Sequence, residues 1–300
     1  MKKWQYKSIQ FILHITSLMP FWTLYVIADI IYVVLFYIIK YRREVVEKNL
    51  QESFPNKSKK ERTQIEHKFY RNLADYFVET IKLNNVSDSA IKKRITFKNI
   101  EIIDNLFDQN RSIVAYFSHC GNWEWVTSIT RWSRYKHGSD VEFCQVYRPL
   151  RDPWYDAYML KLRGRFNSLS FKKRSVLRDL IMIRRRNIPS ITGFMSDQKP
   201  SRGDESHIVK FLNHPTAFIT GTEQIARKLD MAVVYFDMHK PRRGHYEVEI
   251  KVISTDPSSM PNMAITDAYI SLLENTINRN PSIWLWSHNR WKNKVKMPNE

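Results

Sequence analysis

Four short apolar runs separated by helical patterns constrain this chain more than any other feature. Ile113–Phe117, Val141–Tyr147, Ile188–Met195 and Met231–Phe236 read as buried strands. Between them, residues 123–134, 153–183 and 219–229 read as helices. Strand alternating with helix predicts an α/β fold, a mostly parallel sheet with right-handed crossovers and helices on its faces. In such a sheet the ligand crevice opens beyond the carboxyl ends of the strands. Those ends carry His119, Arg148 and Asp197, with His239 and Lys240 after the last run. Polar residues far apart in sequence are thereby placed on one rim.

The first strand end continues as Ser118-His119-Cys120-Gly121-Asn122-Trp123-Glu124-Trp125. On one unbroken helix His119 and Glu124 would stand roughly 140° apart around the axis. With His119 in the loop and Glu124 in the first helical turn, both can point into one crevice. That arrangement suits a histidine base whose second nitrogen is oriented by a carboxylate. Asn122 reads as the helix N-cap, and a helix N-terminus favours an ionised Glu124. Cys120 reads as a small packing residue rather than a nucleophile, because neighbours at a strand end point apart.

The His119/Glu124 spacing is similar to the HX4(D/E) motif of the glycerolipid, or lysophospholipid, acyltransferase superfamily. The string His119-Cys120-Gly121-Asn122-Trp123-Glu124 resembles the His-x-Gly-Asn-Trp-Glu of the bacterial lipid A biosynthesis (late, secondary) acyltransferases. Further segments carry the same likeness: Arg42-Arg43, Asn49-Leu50 and Phe54-Pro55, then a helix ending near Glu79. The closing Pro281…Trp284-x-Trp286-x-His288-x-Arg290-Trp291 resembles the family's terminal block, its aromatics read as packing and interfacial groups.

The resemblance implies a membrane-bound enzyme that moves a fatty acyl chain from acyl carrier protein onto a hydroxyl of a lipid A precursor. No cofactor, metal or nucleic acid is implied. His119 would take the proton of the acceptor hydroxyl, which attacks the thioester directly. Glu124 would fix the imidazole tautomer, and no acyl-enzyme is expected. Arg148, in Tyr-Arg-Pro-Leu, resembles the family's second block. It would bind an acceptor phosphate or help hold the oxyanion, or be a structural surface arginine. Asp197, in Ser-Asp-Gln-Lys, resembles the third block and would orient Arg148 or the acceptor, or cap a turn. Asn122, Lys199 and Arg202 complete the candidate substrate-binding set.

Two departures leave acceptor identity and acyl preference open. Val233-Val234-Tyr235-Phe236 lacks a proline after its valines, and Phe211-Leu212-Asn213-His214 stands where Phe-Phe-Gly is usual. The alternatives are an acyltransferase for another lysolipid (an amino-acid lipid or a lysophospholipid) and, from a different class, a non-catalytic basic protein binding membranes or nucleic acid.

From Phe21 to Ile39 only Thr23 and Asp29 lie outside the apolar set; a bilayer-crossing helix needs about 20 residues. Lys40, Arg42 and Arg43 follow at once, as at a cytoplasmic interface. Ile9–Met19 is apolar too and is separated by Pro20, so a spanning helix or a re-entrant pair fits, the alternative being a buried core helix. The expected division is a membrane anchor over 1–40 and a catalytic domain over 41–300, at the inner membrane with the catalytic part on the cytoplasmic side. A net charge of +18 calls for an anionic partner: headgroups, a phosphorylated lipid or an acidic carrier. The seven glycines form no nucleotide-binding loop. The two cysteines have no metal or disulfide spacing.

Overall fold

A computed structural model describes residues 3–201, 204 and 206–297 of the chain. Its N-terminal part is helical: α1 (Lys3–Leu18), α2 (Phe21–Val33), α3 (Arg43–Ser53), α4 (Lys59–Lys82) and α5 (Asp88–Lys92). Strand β1 (Ile95–Lys98), α6 (Glu101–Asp108), β2 (Ile113–Phe117), β3 (Glu142–Tyr147), α7 (Pro153–Arg163) and β4 (Leu169–Lys172) follow. The chain continues through α8 (Val176–Arg185), β5 (Ser190–Met195), β6 (Ser206–Phe211), β7 (His214–Ile219) and α9 (Gly221–Leu229). It closes with β8 (Ala232–Arg242), β9 (His245–Ser254) and α10 (Ala264–Arg279).

Seven strands make one sheet in the order β1-β9-β8-β2-β5-β3-β4, and β6 and β7 form a separate hairpin. Every pairing in the large sheet is parallel except β8 with β9. All five residues of β2 are buried, as expected of a central parallel strand covered on both faces. The mostly parallel α/β fold expected from the sequence is what forms.

Three local expectations are corrected. The pattern over 153–183 is not one helix but α7, β4 and α8, broken where Asn167 takes φ +63°. The clean alternation of residues 246–252 reads in sequence as a half-exposed edge strand, but β9 pairs with β1 on one side and β8 on the other. Alternation reports one half-exposed sheet face, not an edge; the edges are β1 and β4. Residues Trp123–Arg131 wind as a 3₁₀ helix, and Asn122 makes no side-chain cap. Seven consecutive residues from Trp123 to Ile129 are buried, so no solvent face imposes the α period. The Thr127 and Ser128 hydroxyls bond carbonyls three residues back (2.9 and 2.7 Å), which favours the tighter turn.

Helix α4 is the spine of the N-terminal layer. Ser58 followed three residues later by Glu61 is the sequence signature of a capping box, and the two form one at its start. Steps of four advance roughly 40° around a helix, so the row Ile65, Phe69, Leu73, Phe77 winds off the core and leaves Phe77 exposed. The buried face is instead Phe69, Tyr70, Leu73, Ala74 and Val78. The window Phe21–Ile38 is long and apolar enough to cross a membrane, with 22% of it buried. Leu24, Ala28, Tyr32 and Phe36 are its buried face, and Phe36 packs edge-on against Tyr70 of α4. Asp29 pairs with Arg243 beyond β8 (2.8 Å).

Candidate active site

The turn after β2 is forced into shape from behind. Gly121 has φ +60°, and a Cβ there would sit 3.0 Å from Tyr246 Cε1, so both backbone strain and crowding favour glycine. Its amide donates to the Ile283 carbonyl (2.9 Å), tying the turn to the C-terminal block. Behind it, Glu79 of α4 accepts from Asn122 Nδ2 (2.9 Å) and Tyr246 OH (2.7 Å), and its own carbonyl accepts from Trp125 Nε1 (3.1 Å). Burial pushes the Glu79 carboxyl up, against the pull of Lys240. Asn122 is therefore a buried strut, and it lines neither of the cavities described below.

His119 meets Asp197, which follows β5, the neighbour of β2. Its Nδ1 lies 2.7 Å from Asp197 Oδ1, and its backbone N–H donates to Oδ2 at 2.9 Å. Trp284 Nε1 donates to the same Oδ2 at 3.0 Å. Burial alone would raise the Asp197 carboxyl; the adjoining His119 and these three hydrogen bonds outweigh it and hold the group at about 2. An ionised Asp197 is acceptor-only, so Nδ1 carries the proton and Nε2 has the lone pair. Gln198 Nε2 donates to that Nε2 at 3.2 Å.

Glu124 was expected to orient the imidazole, and it does not. Its carboxylate is buried on Arg163, the last residue of α7, through two parallel bonds of 2.8 and 2.6 Å from Nε and Nη2. A single carboxylate occupies His119 Nδ1, and it comes from 78 residues downstream. Cys120 is fully buried, and burial raises its thiol, so it offers no thiolate.

Two cavities lie at this rim, and the larger is walled in part by the imidazole. The larger, about 500 Å³, is lined by His119, Arg148, Lys199 and Gln198, and also by Lys173, whose charge is met by Asp204 at 2.6 Å. Arg148 and Lys199 have no carboxylate partner among the described residues. Arg202 lies outside the described residues. The smaller cavity, about 50 Å³, is a narrow apolar slot between the sheet and the 3₁₀ helix, walled by Phe117, Val126, Ile129, Ile191 and Phe236. Val146, Tyr147, Arg163 and Met195 line both cavities. Chemically, this is an imidazole whose lone pair meets Gln198, a chamber lined by cationic side chains, and an apolar branch whose mouth holds a guanidinium.

Among the described residues, Asp237, His239 and Glu249 bring ligand-type atoms within 4.8 Å of one another. Asp237 there already accepts from Arg279 (2.6 Å), Lys251 (2.7 Å) and Thr276 (2.7 Å), so cationic side chains take the place of an ion.

Sequence reasoning missed Arg163, Gln198, Glu79 and the positioning part of Trp284. Trp284 and Gln198 sat inside quoted motifs, and only their partners give them a role. Arg163 carries no sequence signal, since it is one basic residue at the end of a helix.

A family model described as bacterial lipid A biosynthesis acyltransferase matches residues 2–293. The chain is 25% identical over 273 residues to the lipid A biosynthesis palmitoleoyltransferase of Escherichia coli, covering 85% of this chain and 80% of that protein. The same identity and coverage relate it to a lipid A biosynthesis acyltransferase of Shigella flexneri. A Haemophilus influenzae protein of the same description is 23% identical over 223 residues, covering 73% of this chain and 67% of that one. With the match running nearly end to end, and with His119, Asp197 and Arg163 gathered at the strand ends, the chain belongs to the bacterial lipid A biosynthesis acyltransferase family.

Proposed function

We propose that the protein transfers a fatty acyl chain from an acyl carrier protein thioester to a hydroxyl of a lipid A precursor at the cytoplasmic face of the inner membrane. His119 is the general base. Its Nε2 takes the hydroxyl proton while Asp197 holds the Nδ1 proton and stabilises the imidazolium that forms. The alkoxide attacks the thioester carbonyl, the tetrahedral oxyanion collapses, and the carrier thiolate leaves with the imidazolium proton. Arg163 stabilises the oxyanion. Two of its five N–H groups are spent on Glu124, and the others serve the junction of the two cavities.

In this reading Glu124 acts through Arg163, fixing the guanidinium rather than the imidazole. The narrow slot takes the acyl chain, while the larger chamber takes the acceptor. Arg148 and Lys199 there face the acceptor's phosphate. The observation that carries the proposal is the His119–Asp197 contact of 2.7 Å beside the joined cavities.

The test is mass spectrometry of lipids from deletion cells complemented with wild type or His119→Ala. Lipid A missing one secondary acyl chain, restored by wild type alone, supports the reading. Unchanged lipid A with an altered lysolipid would move the acceptor to another lipid. Purified enzyme offered acyl carrier protein or coenzyme A thioesters identifies the donor.

A further inference from the structure

A further cavity lies away from His119. It measures about 840 Å³, between α2, α4 and the β8–β9 turn, and shares no wall residue with the two active-site cavities. Its walls carry Lys68, Arg71, Lys240, Arg242 and Arg243 against two carboxylates, Asp29 and Asp75. Asp75 is buried and binds Arg243 (2.7 Å) and Lys240 (3.3 Å); Asp29 binds Arg243 (2.8 Å). Both acids are thereby spent on two cations. Lys68, Arg71 and Arg242 are exposed and have no carboxylate partner among the described residues. Arg71 lies over the Tyr32 ring, and Arg242 contacts His245. Three positive charges thus face the cavity with nothing to neutralise them.

The second observation is apolar. Trp22, Val26, Ile30 and Val33, spaced four, four and three residues apart, form one stripe along α2 and are 71, 54, 59 and 45% exposed. On α1, Phe11, Ile12, Ile15 and Leu18 are exposed as well. Val33 belongs to both features: it ends the stripe and lines the basic cavity. A phosphate in the cavity and hydrocarbon along the stripe describe one amphiphile.

We infer that this cavity binds the phosphate headgroup of an anionic membrane phospholipid whose acyl chains lie along the exposed stripe of α2. The site orients the protein on the leaflet and does not take part in acyl transfer. An acidic protein would satisfy the three cations but would leave the apolar stripe uncovered. Lipid satisfies both. Each Lys or Arg near an anionic surface strengthens association about fivefold, so removing three should weaken it roughly a hundredfold.

The experiment compares the full-length wild type with the triple variant Lys68→Gln/Arg71→Gln/Arg242→Gln. A control removes three exposed charges elsewhere, Arg178→Gln/Arg185→Gln/Lys228→Gln. The targeted side chains are exposed, and circular dichroism melts verify that both triples fold. Partition is measured onto vesicles of phosphatidylcholine alone and of phosphatidylcholine with phosphatidylglycerol. The expected result is at least a tenfold loss on the anionic vesicles for the cavity triple, little loss for the control, and unchanged partition on neutral vesicles. Native mass spectrometry should also show retained phospholipid on wild type and not on the cavity triple. Equal losses for the two triples would overturn the inference. So would full competition by free inorganic phosphate, a raised KM for the acceptor with unchanged vesicle binding, or weakened binding of acyl carrier protein alone.

Discussion

Asp197→Asn separates the two candidate partners of His119 more sharply than any other change. Asp197 accepts three hydrogen bonds, one at Oδ1 from the imidazole (2.7 Å) and two at Oδ2, from the His119 amide (2.9 Å) and Trp284 (3.0 Å). An asparagine has one acceptor oxygen, and the two donors at the Oδ2 position claim it. Its NH₂ then faces Nδ1, which must become an acceptor. The imidazole switches tautomer, Nε2 gains the proton, and the base can no longer take one from a hydroxyl. Loss of a positioned base, together with its counter-charge, should lower kcat by about 10³–10⁴. KM for both substrates should hold, because Asp197 lines neither cavity. The assay is steady-state transfer with labelled acyl thioester, paired with ¹⁵N imidazole spectra that read the tautomer directly. If Asp197→Asn keeps a tenth or more of wild-type turnover, or if the Nε2 proton is absent from its spectrum, the assignment of this carboxylate fails.

Glu124→Gln should leave the imidazole spectrum unchanged while stranding the Arg163 guanidinium, costing about 3–5 kcal/mol of stability. Adding Arg163→Met should recover most of that stability in urea melts without recovering turnover; recovered turnover would remove Arg163 from the reaction. At Gly193 a Cβ would stand 2.8 Å from Phe117 Cε1 on the wall of the narrow slot. Gly193→Ala should tilt that ring into the slot and shift the preferred acyl donor to shorter chains, read from competition between donors of different length. In acid, Asp197 is held at about 2 against an ordinary 3.8. A depressed carboxylate stabilises the fold above the unfolded value, and that stability is lost as pH falls from about 4 to 2. Its size is about 2 kcal/mol from a shift of nearly two units. Urea midpoints should fall over that window by more in wild type than in Asp197→Asn.

The sheet was legible because burial on both faces writes continuous apolar runs, and β2, β3, β5 and β8 appeared where those runs are. The capping box at Ser58 was legible because it is a local hydrogen-bond exchange. β1 and β4 were not: each is four residues long, and β4 has no fully buried side chain to mark it. The rim was legible in outline, since strand ends converge whatever their sequence separation, and His119 and Asp197 do meet. Their pairing was assigned to the wrong carboxylate because Glu124 is near in sequence, and nearness along the chain does not say which way a side chain leaves a buried 3₁₀ turn. Arg148 and Lys199 fell in the expected chamber, while Asn122 turned inward to Glu79.

The N-terminal and C-terminal signatures are bonded to each other. Arg42 Nη1 donates to the Ser287 carbonyl (3.0 Å), and Asn49 Nδ2 donates to the carbonyls of Trp286 (3.0 Å) and His288 (3.2 Å). Asn72 of α4 bonds the Ser282 carbonyl at 2.8 Å. These polar groups satisfy the backbone of an irregular segment that would otherwise bury unpaired carbonyls. What they hold in place is Trp284, and Trp284 holds Asp197. The orientation of His119 is therefore set by a chain of contacts running from the residues just after the apolar helix to those near the end of the sequence. Asn49→Ala, far from any substrate, should loosen that chain: kcat falls several-fold while both KM values hold. A KM effect with unchanged kcat would show that the terminal block meets substrate directly.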